Sequence, residues 1–178
     1  MNRRAVLFLL VLLLCFHACE KEVEEKLPKD MPRITLEQLC LTETKEGNKL
    51  WTLNAARAAV YDEIIKVEEV QVRFYDEQET VFSVLDAPRG ELNTSTHNIF
   101  VEDSVEVFTK DSTHLYTQSL FWLNDSAKIL SDSYVKIVKA DGTIIEGKGL
   151  RTDPCLDRIE IIGETKGESP IKLPDIRK

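Results

Sequence analysis

The chain has 178 residues, of which 43% are hydrophobic and 30% are charged, a composition ordinary for one globular domain. Its formal net charge of -8 comes from 31 acidic and 23 basic residues. No cluster of lysine and arginine stands out that could follow a phosphate backbone, so nucleic acid is excluded as a partner.

The first residues have the features of a secretion signal. Arg3 and Arg4 precede the unbroken apolar run AVLFLLVLLLCF, which ends at His17. A bilayer span needs roughly 20 apolar residues, so the run favours a cleaved leader over residues 1–19, and the alternative is an uncut N-terminal helix. Either interpretation predicts a domain that works outside the cytoplasm.

Composition divides the rest of the chain into three parts. Residues 20–33 are charged, contain two prolines and show no apolar period, which predicts a flexible tether. Residues 34–164 form the predicted domain. Residues 165–178 resemble the tether in composition and are predicted to be a flexible tail.

Nearly the whole domain alternates apolar and polar residues with a period of two, which predicts β-strands. The short connections between strands, such as KEGN, LNDS and KADG, predict antiparallel pairing. The segment ARAAVYDE is left open as strand or turn. The predicted strands are residues 49–56, 66–76, 80–87, 98–110, 113–123, 127–139, 143–152 and 157–164.

A loose repeat of about thirty residues runs through these strands. The segments LNAARAAVYD, LDAPRGELN, TQSLFWLND and GKGLRTDPCL each begin a unit that closes with an alternating strand. One such hairpin-like layer cannot bury its own apolar face, so stacked layers must share one interior and end in two exposed strand edges.

No catalytic constellation is present in the sequence. It contains neither a G-x-S-x-G motif nor a cysteine beside a histidine. His97 and His114 lack partners at metal-ligand spacing and are interpreted as surface residues. An oxidising compartment would permit a disulfide between Cys40 and Cys155, and the alternative is two unpaired cysteines.

The alternation also predicts an inward-facing apolar row, which by itself indicates only a packed core. Its members are Trp51, Leu53, Val70, Val72, Phe74, Phe82, Val84, Val101, Val105, Val107, Leu120, Val135, Ile137, Ile159 and Ile161. In the strand that contains VEDSVEVF, the acids Glu102, Asp103 and Glu106 are predicted to face water.

From about Leu39 to Glu164 the sequence resembles the LptC family of lipopolysaccharide export proteins and the related LptA-like jellyrolls. The resemblance is carried by KLWTLNAARA with Tyr61 following, FSVLDAPRGELN leading into NIFVEDSVEVF, HLYTQSL, and DGTIIEGKGLRTDPCLDRIEIIGE. It implies an all-β fold, an open twisted antiparallel β-jellyroll of stacked hairpin-like layers. It further implies transport of lipopolysaccharide without catalysis and without a cofactor.

In such a jellyroll the inward row from Trp51 to Ile137 would line a groove for the lipid's acyl chains. Lipopolysaccharide would arrive from an ATP-driven ABC transporter in the inner membrane, docked at the edge near Trp51. It would leave to a soluble LptA-like bridge protein at the edge near Ile159 and Ile161, each contact being a β-augmentation. Gly147 matches a family glycine that matters for partner binding, although a strand glycine also marks a bulge or a close backbone approach.

The end of the leader, FHAC, resembles a bacterial lipoprotein signal, which implies acylation of Cys19 and a lipid anchor on the periplasmic face of the inner membrane. The best-known members of the family keep a transmembrane helix instead. The competing reading is a periplasmic β-lipoprotein with a closed core that is structural or binds carbohydrate, for which Trp122 and Tyr116 would form the sugar platform.

Overall fold

The computed structural model describes residues 31–168, which form ten β-strands and no helix within that range. The predicted leader with Cys19, most of the tether and the end of the tail lie outside the described residues. Among residues 31–168 no helix is long and apolar enough to span a membrane.

The strands follow one another along the chain with short connections. Their bounds are β1 Ile34–Lys45, β2 Asn48–Val60, β3 Ile64–Tyr75, β4 Val81–Asn93, β5 Ile99–Thr109, β6 His114–Leu123, β7 Lys128–Val138, β8 Ile144–Thr152, β9 Glu160–Ile161 and β10 Thr165–Glu168. Each of β1 to β8 pairs antiparallel with the next strand, and both β9 and β10 pair with β8.

All ten strands belong to one sheet that does not close on itself. The prediction of an open all-β antiparallel jellyroll is therefore confirmed. Two strands were not anticipated: β1, and β10, which lies in the segment predicted to be a tail. The undecided segment from residue 56 continues β2 as strand up to Val60.

The long strands are interrupted near their middles, and the interruptions lie side by side. The pairing register shifts between Asp86 and Arg89 in β4, Glu102 and Val105 in β5, Thr117 and Phe121 in β6, and Ser131 and Tyr134 in β7. Such β-bulges bend a strand and increase its twist. We refer to this row of shifts across β4 to β7 as the bulge line.

Bending at the bulge line folds the sheet over, so that two parts of its inner face oppose each other. β3 and β6 are three strand spacings apart, about 14 Å along the sheet. Nevertheless the rings of Phe74 and Trp122, one on each strand, have centroids 4.8 Å apart. The core therefore lies between two halves of a single sheet, one on each side of the bulge line.

Candidate functional site

The predicted groove residues lie mainly in this interior. Eleven of the thirteen side chains are at most 2% exposed: Trp51, Leu53, Val70, Val72, Phe74, Val101, Val105, Val107, Leu120, Val135 and Ile137. Alternation places Glu106 beside Val107 on the opposite face, where its side chain is 44% exposed. Glu102 and Asp103 are also open to solvent, as expected, and both contact Arg89.

The prediction that Val84 faces inward is wrong. Its neighbours Ser83 and Leu85 are buried at 1% exposure, whereas Val84 pairs with Arg73 and Phe108 on the exposed face. Phe82 shares the parity of Val84 and is only half-buried, with its ring 6.5 Å from that of Phe74. The register shift between Phe74 and Tyr75 lies beside Phe82 and leaves it at the margin of the core.

Several interior side chains were missed by the sequence interpretation. Leu85, Ile99, Leu115, Trp122, Ile129 and Leu150 are all at most 3% exposed. Ile129 shares the parity of Val135 and Ile137 in β7, so following the alternation would have found it, whereas Leu115 and Leu150 lie in strands whose inward parity changes along their length. Trp122 follows the bulge in β6. Counting by twos from the outward-facing Tyr116 across this bulge places Trp122 on the wrong face of the strand.

The interior is filled by the protein's own side chains. Leu53, Val72, Val101, Val107 and Leu120 have no exposed surface, as is usual for side chains in a close-packed protein core. A pocket of about 930 Å³ does exist, but it is open to solvent and of mixed character, with polar Asn54, Gln71 and Asp86 beside apolar Leu39 and Val70 in its lining. The acyl chains of a lipid would therefore need the two halves of the sheet to separate.

One end of the interior is held together by polar contacts across the core. The indole N–H groups of Trp51 and Trp122 both donate to Oδ1 of Asn124, at 2.9 and 3.3 Å. Nearby, Nδ1 of His97 lies 2.9 Å from Oε1 of Glu43. These contacts join β1 and β2 to the connections that follow β4 and β6.

Trp51 is not at a sheet edge, contrary to the prediction. It pairs with Glu43 of β1 on one side and with Phe74 of β3 on the other. The free N-terminal edge belongs to β1. Inward-facing positions at the start of this strand remain open, since Ile34 is 54% exposed and Leu36, which pairs with buried Ala58, is 39% exposed.

At the other edge, β8 is covered by the segment that follows it. Gly147 pairs with Val135 on one side and with Thr165 of β10 on the other. A Cβ at Gly147 would overlap Cγ2 of Ile161 and lie 2.8 Å from the carbonyl oxygen of Glu164. Gly147 is therefore a close backbone approach, while Ile159 and Ile161 are half-buried against the core.

Among residues 31–168 the cysteines form no disulfide, and the histidines belong to no candidate metal cluster. Of the two alternatives left open for Cys40 and Cys155, the structure has the unpaired one, with both as free thiols. Side-chain ligand atoms of Asp153, Cys155 and Asp157 lie within 4.8 Å of one another. Burial and the neighbouring aspartates raise the pKa of the Cys155 thiol.

Each histidine of the domain instead lies within hydrogen-bond distance of a glutamate carboxylate. Nδ1 of His114 lies 2.9 Å from Oε1 of Glu106, as Nδ1 of His97 does from Glu43. The predicted sugar platform is absent from the described sheet, because Trp122 is buried at 1% exposure whereas Tyr116 is 41% exposed on the outer face.

Comparison with known proteins gives one informative result. No protein of curated function matches the chain. The family model described as "Lipopolysaccharide-assembly, LptC-related" matches residues 5–169, which is most of the sequence and includes every described strand. The chain therefore belongs to the LptC-related family of lipopolysaccharide-assembly proteins.

Proposed function

We propose that this protein carries lipopolysaccharide between two partners by holding its acyl chains between the two halves of the folded sheet. The observation that carries the proposal is one apolar interior, continuous from β2 to β8, bounded by a sheet with two unclosed edges. The lipid changes position and not covalent structure, so the protein acts by transfer without catalysis.

The margins of the interior support entry of a lipid from the side. Ile34 and Leu36 on β1 and Ile162 after β9 are large apolar side chains with 54%, 39% and 61% exposure. These residues lie at the two free margins of the sheet, whereas the residues deep inside are fully buried. Apolar margins lower the free energy of an acyl chain that passes between the margins and the core.

The two edges support docking by strand addition. An edge strand presents unpaired backbone N–H and C=O groups that another sheet can extend. In the proposed arrangement β1 pairs with the periplasmic jellyroll of the inner-membrane ABC transporter. The edge at β8, β9 and β10 pairs with the LptA-like bridge protein. Gly147 allows the segment from Ile161 to Thr165 to lie against β8, which gives this edge the shape that the bridge protein binds.

The proposal places the domain on the periplasmic face of the inner membrane, the compartment in which the family works. A lipid on Cys19 is the proposed anchor, with an uncut N-terminal helix as the alternative. Either anchor leaves a charged segment of about a dozen residues before β1, which is long enough to hold the domain off the membrane surface.

Site-specific photo-crosslinking in cells that make native lipopolysaccharide tests the proposal. A photoreactive amino acid is placed at Val107, which has no exposed surface, and in a separate strain at the adjacent outward residue Glu106. A lipopolysaccharide adduct is expected at residue 107 and not at residue 106. Equal adducts would indicate surface adsorption.

The fully packed interior favours one alternative, a structural periplasmic lipoprotein whose core never opens. The same experiment separates the two, because a folded and correctly localised protein without an adduct at either position would contradict transport and support the closed structural protein.

A further inference from the structure

The side chains of both tryptophans of the chain donate hydrogen bonds to the same oxygen atom. The sequence contains two tryptophans, Trp51 in β2 and Trp122 in β6. Each indole N–H donates to Oδ1 of Asn124, at 2.9 Å from Trp51 and 3.3 Å from Trp122. Both side chains are almost completely buried, at 2% and 1% exposure.

The contact from Trp51 crosses the interior. β2 and β6 are four strand spacings apart in the sheet, about 19 Å along its surface. A hydrogen bond of 2.9 Å between Trp51 and Asn124 is possible only because the sheet is folded over. This bond therefore joins the two halves that would have to separate to admit a lipid.

Asn124 is fixed from its own side of the interior. It begins the connection between β6 and β7, and its backbone N–H donates to Oδ1 of Asn98 at 2.9 Å. Asn98 lies in the neighbouring connection between β4 and β5. Separation of the halves would leave Asn124 with Trp122 and Asn98, and would break its bond to Trp51.

The chemistry of this bond suits a contact that opens and closes. A buried indole N–H needs a partner, and the shared oxygen supplies one to both rings while the interior is empty of lipid. Asn124 itself is half-buried, so water can replace the indole of Trp51 when the halves part. The free energy of such an exchange is small when both the freed oxygen of Asn124 and the freed indole N–H of Trp51 meet water, because each then replaces a protein hydrogen bond by one to water.

We propose that Asn124 is a clamp that holds the two halves of the jellyroll together at this end, and that entry of acyl chains releases Trp51 from it. The inference rests on the proposed function, since the clamp opens for the same lipid. It assigns Asn124 the role of setting the rate of loading. Two further contacts cross the core. The one between Phe74 and Trp122 is apolar and slides without a lost hydrogen bond, and the one between His97 and Glu43 has side chains 44% and 23% exposed, so water can replace it.

Intrinsic fluorescence can follow the clamp directly, because the only two fluorescent indoles of the chain both belong to it. The protein is mixed rapidly with purified lipid A, and tryptophan emission is recorded with time. Emission is expected to change as lipid loads. In single-tryptophan variants, Trp122→Phe retains the change and Trp51→Phe loses most of it, because Trp51 is the indole that leaves Asn124.

Variants at Asn124 test its effect on the rate. Asn124→Ala removes the shared acceptor and is expected to load lipid A roughly ten-fold faster, the factor that corresponds to about one buried hydrogen bond. Asn124→Asp keeps an oxygen acceptor for both indoles and is expected to load no faster than the unmodified protein. Exposed Asn48 provides matched controls, Asn48→Ala and Asn48→Asp, both expected to load at the unmodified rate.

The outcomes separate the clamp from the proposed function. If lipid A loads and crosslinks at residue 107, yet tryptophan emission is constant or Asn124→Ala and Asn124→Asp load alike, the clamp is overturned and transport stands. If no variant takes up lipid A, both proposals fail. Faster loading by Asn124→Ala alone, with a folded circular dichroism spectrum, supports the clamp.

Discussion

At the scale of single residues, Gly147 shows how one missing side chain shapes an edge of the molecule. The segment from Ile161 to Thr165 lies directly against the backbone of β8 at this position. Glycine is the only residue that permits so close an approach without displacement. The resemblance to the family pointed to Gly147, and its place in the structure gives the physical reason.

The substitution Gly147→Ala is expected to lower the free energy of unfolding by about 1 to 3 kcal/mol, the usual effect of inserting a carbon atom into a packed contact. The new Cβ would lie 2.8 Å from the carbonyl oxygen of Glu164, which is backbone and cannot rotate away. Urea denaturation measures the loss, and amide hydrogen exchange should show faster exchange at residues 160–168.

Gly167→Ala is the matched control on the opposite strand. A Cβ at Gly167 would meet nothing closer than the carbonyl oxygen of Ile144 at 3.9 Å, an ordinary contact. It is expected to leave the denaturation midpoint nearly unchanged. Equal destabilisation by the two substitutions would mean that loss of glycine itself, and not the crowding at Gly147, determines the effect.

At the scale of strands, the sequence interpretation succeeds in finding the long strands and fails where the bulge line interrupts them. Alternation with a period of two reveals strands reliably, since the first seven of the eight predicted segments each overlap a long strand and the last overlaps the short β9. It cannot reveal a bulge, which adds residues without changing composition. In β6, Thr117 and Leu120 both face inward, so any inference that counts by twos through the strand fails there.

Strand β1 was missed for a related reason. It lies at the edge, and most of its side chains are exposed, so the segment ITLEQLCLTETK lacks the strong apolar alternation of the central strands. Its pairing with β2 depends on backbone hydrogen bonds, which composition does not record. For the candidate site, the central apolar row could therefore be predicted, whereas the edge strands and the clamp at Asn124 could not.

Strain at the bulge line provides a test of this description. Asp103 and Ser104 are consecutive residues with φ of 71° and 68°, a conformation that costs a non-glycine residue roughly 1 to 2 kcal/mol. Ser104→Gly should relieve that cost, and the greater chain entropy of glycine offsets part of the gain. The expected net stabilisation is about 0.5 kcal/mol, measured by urea denaturation.

Ser95 is the control for this substitution. It is exposed in the connection between β4 and β5 and is not among the residues with positive φ. Ser95→Gly is expected to destabilise the protein slightly, because only the entropic effect remains. A destabilising Ser104→Gly would contradict the strained geometry of the bulge.

At the scale of the whole molecule, the sheet has a well-packed middle and two edges of unequal strength. β1 pairs with β2 over eleven residue pairs and contributes Leu39 and Leu41 to the margin of the core. β10 pairs with β8 over four residue pairs, and all four of its side chains are exposed. The C-terminal edge is therefore covered by a strand held almost entirely by its backbone.

This asymmetry predicts that β10 protects β8 from uncontrolled pairing. Ending the chain at Gly163 removes β10 and leaves the backbone of Ile144 to Gly147 free on one side, and a free strand edge promotes association with other sheets. Sedimentation velocity should then show a larger, concentration-dependent average mass than for a chain that ends at Glu168. The substitution Glu146→Pro in the shortened chain removes a backbone N–H that faces this edge and not β7, and it should reduce the association while circular dichroism still reports the sheet. A shortened chain with the same mass as the longer one at every concentration would mean that β8 is unreactive without its cover, and that β10 serves partner docking rather than protection.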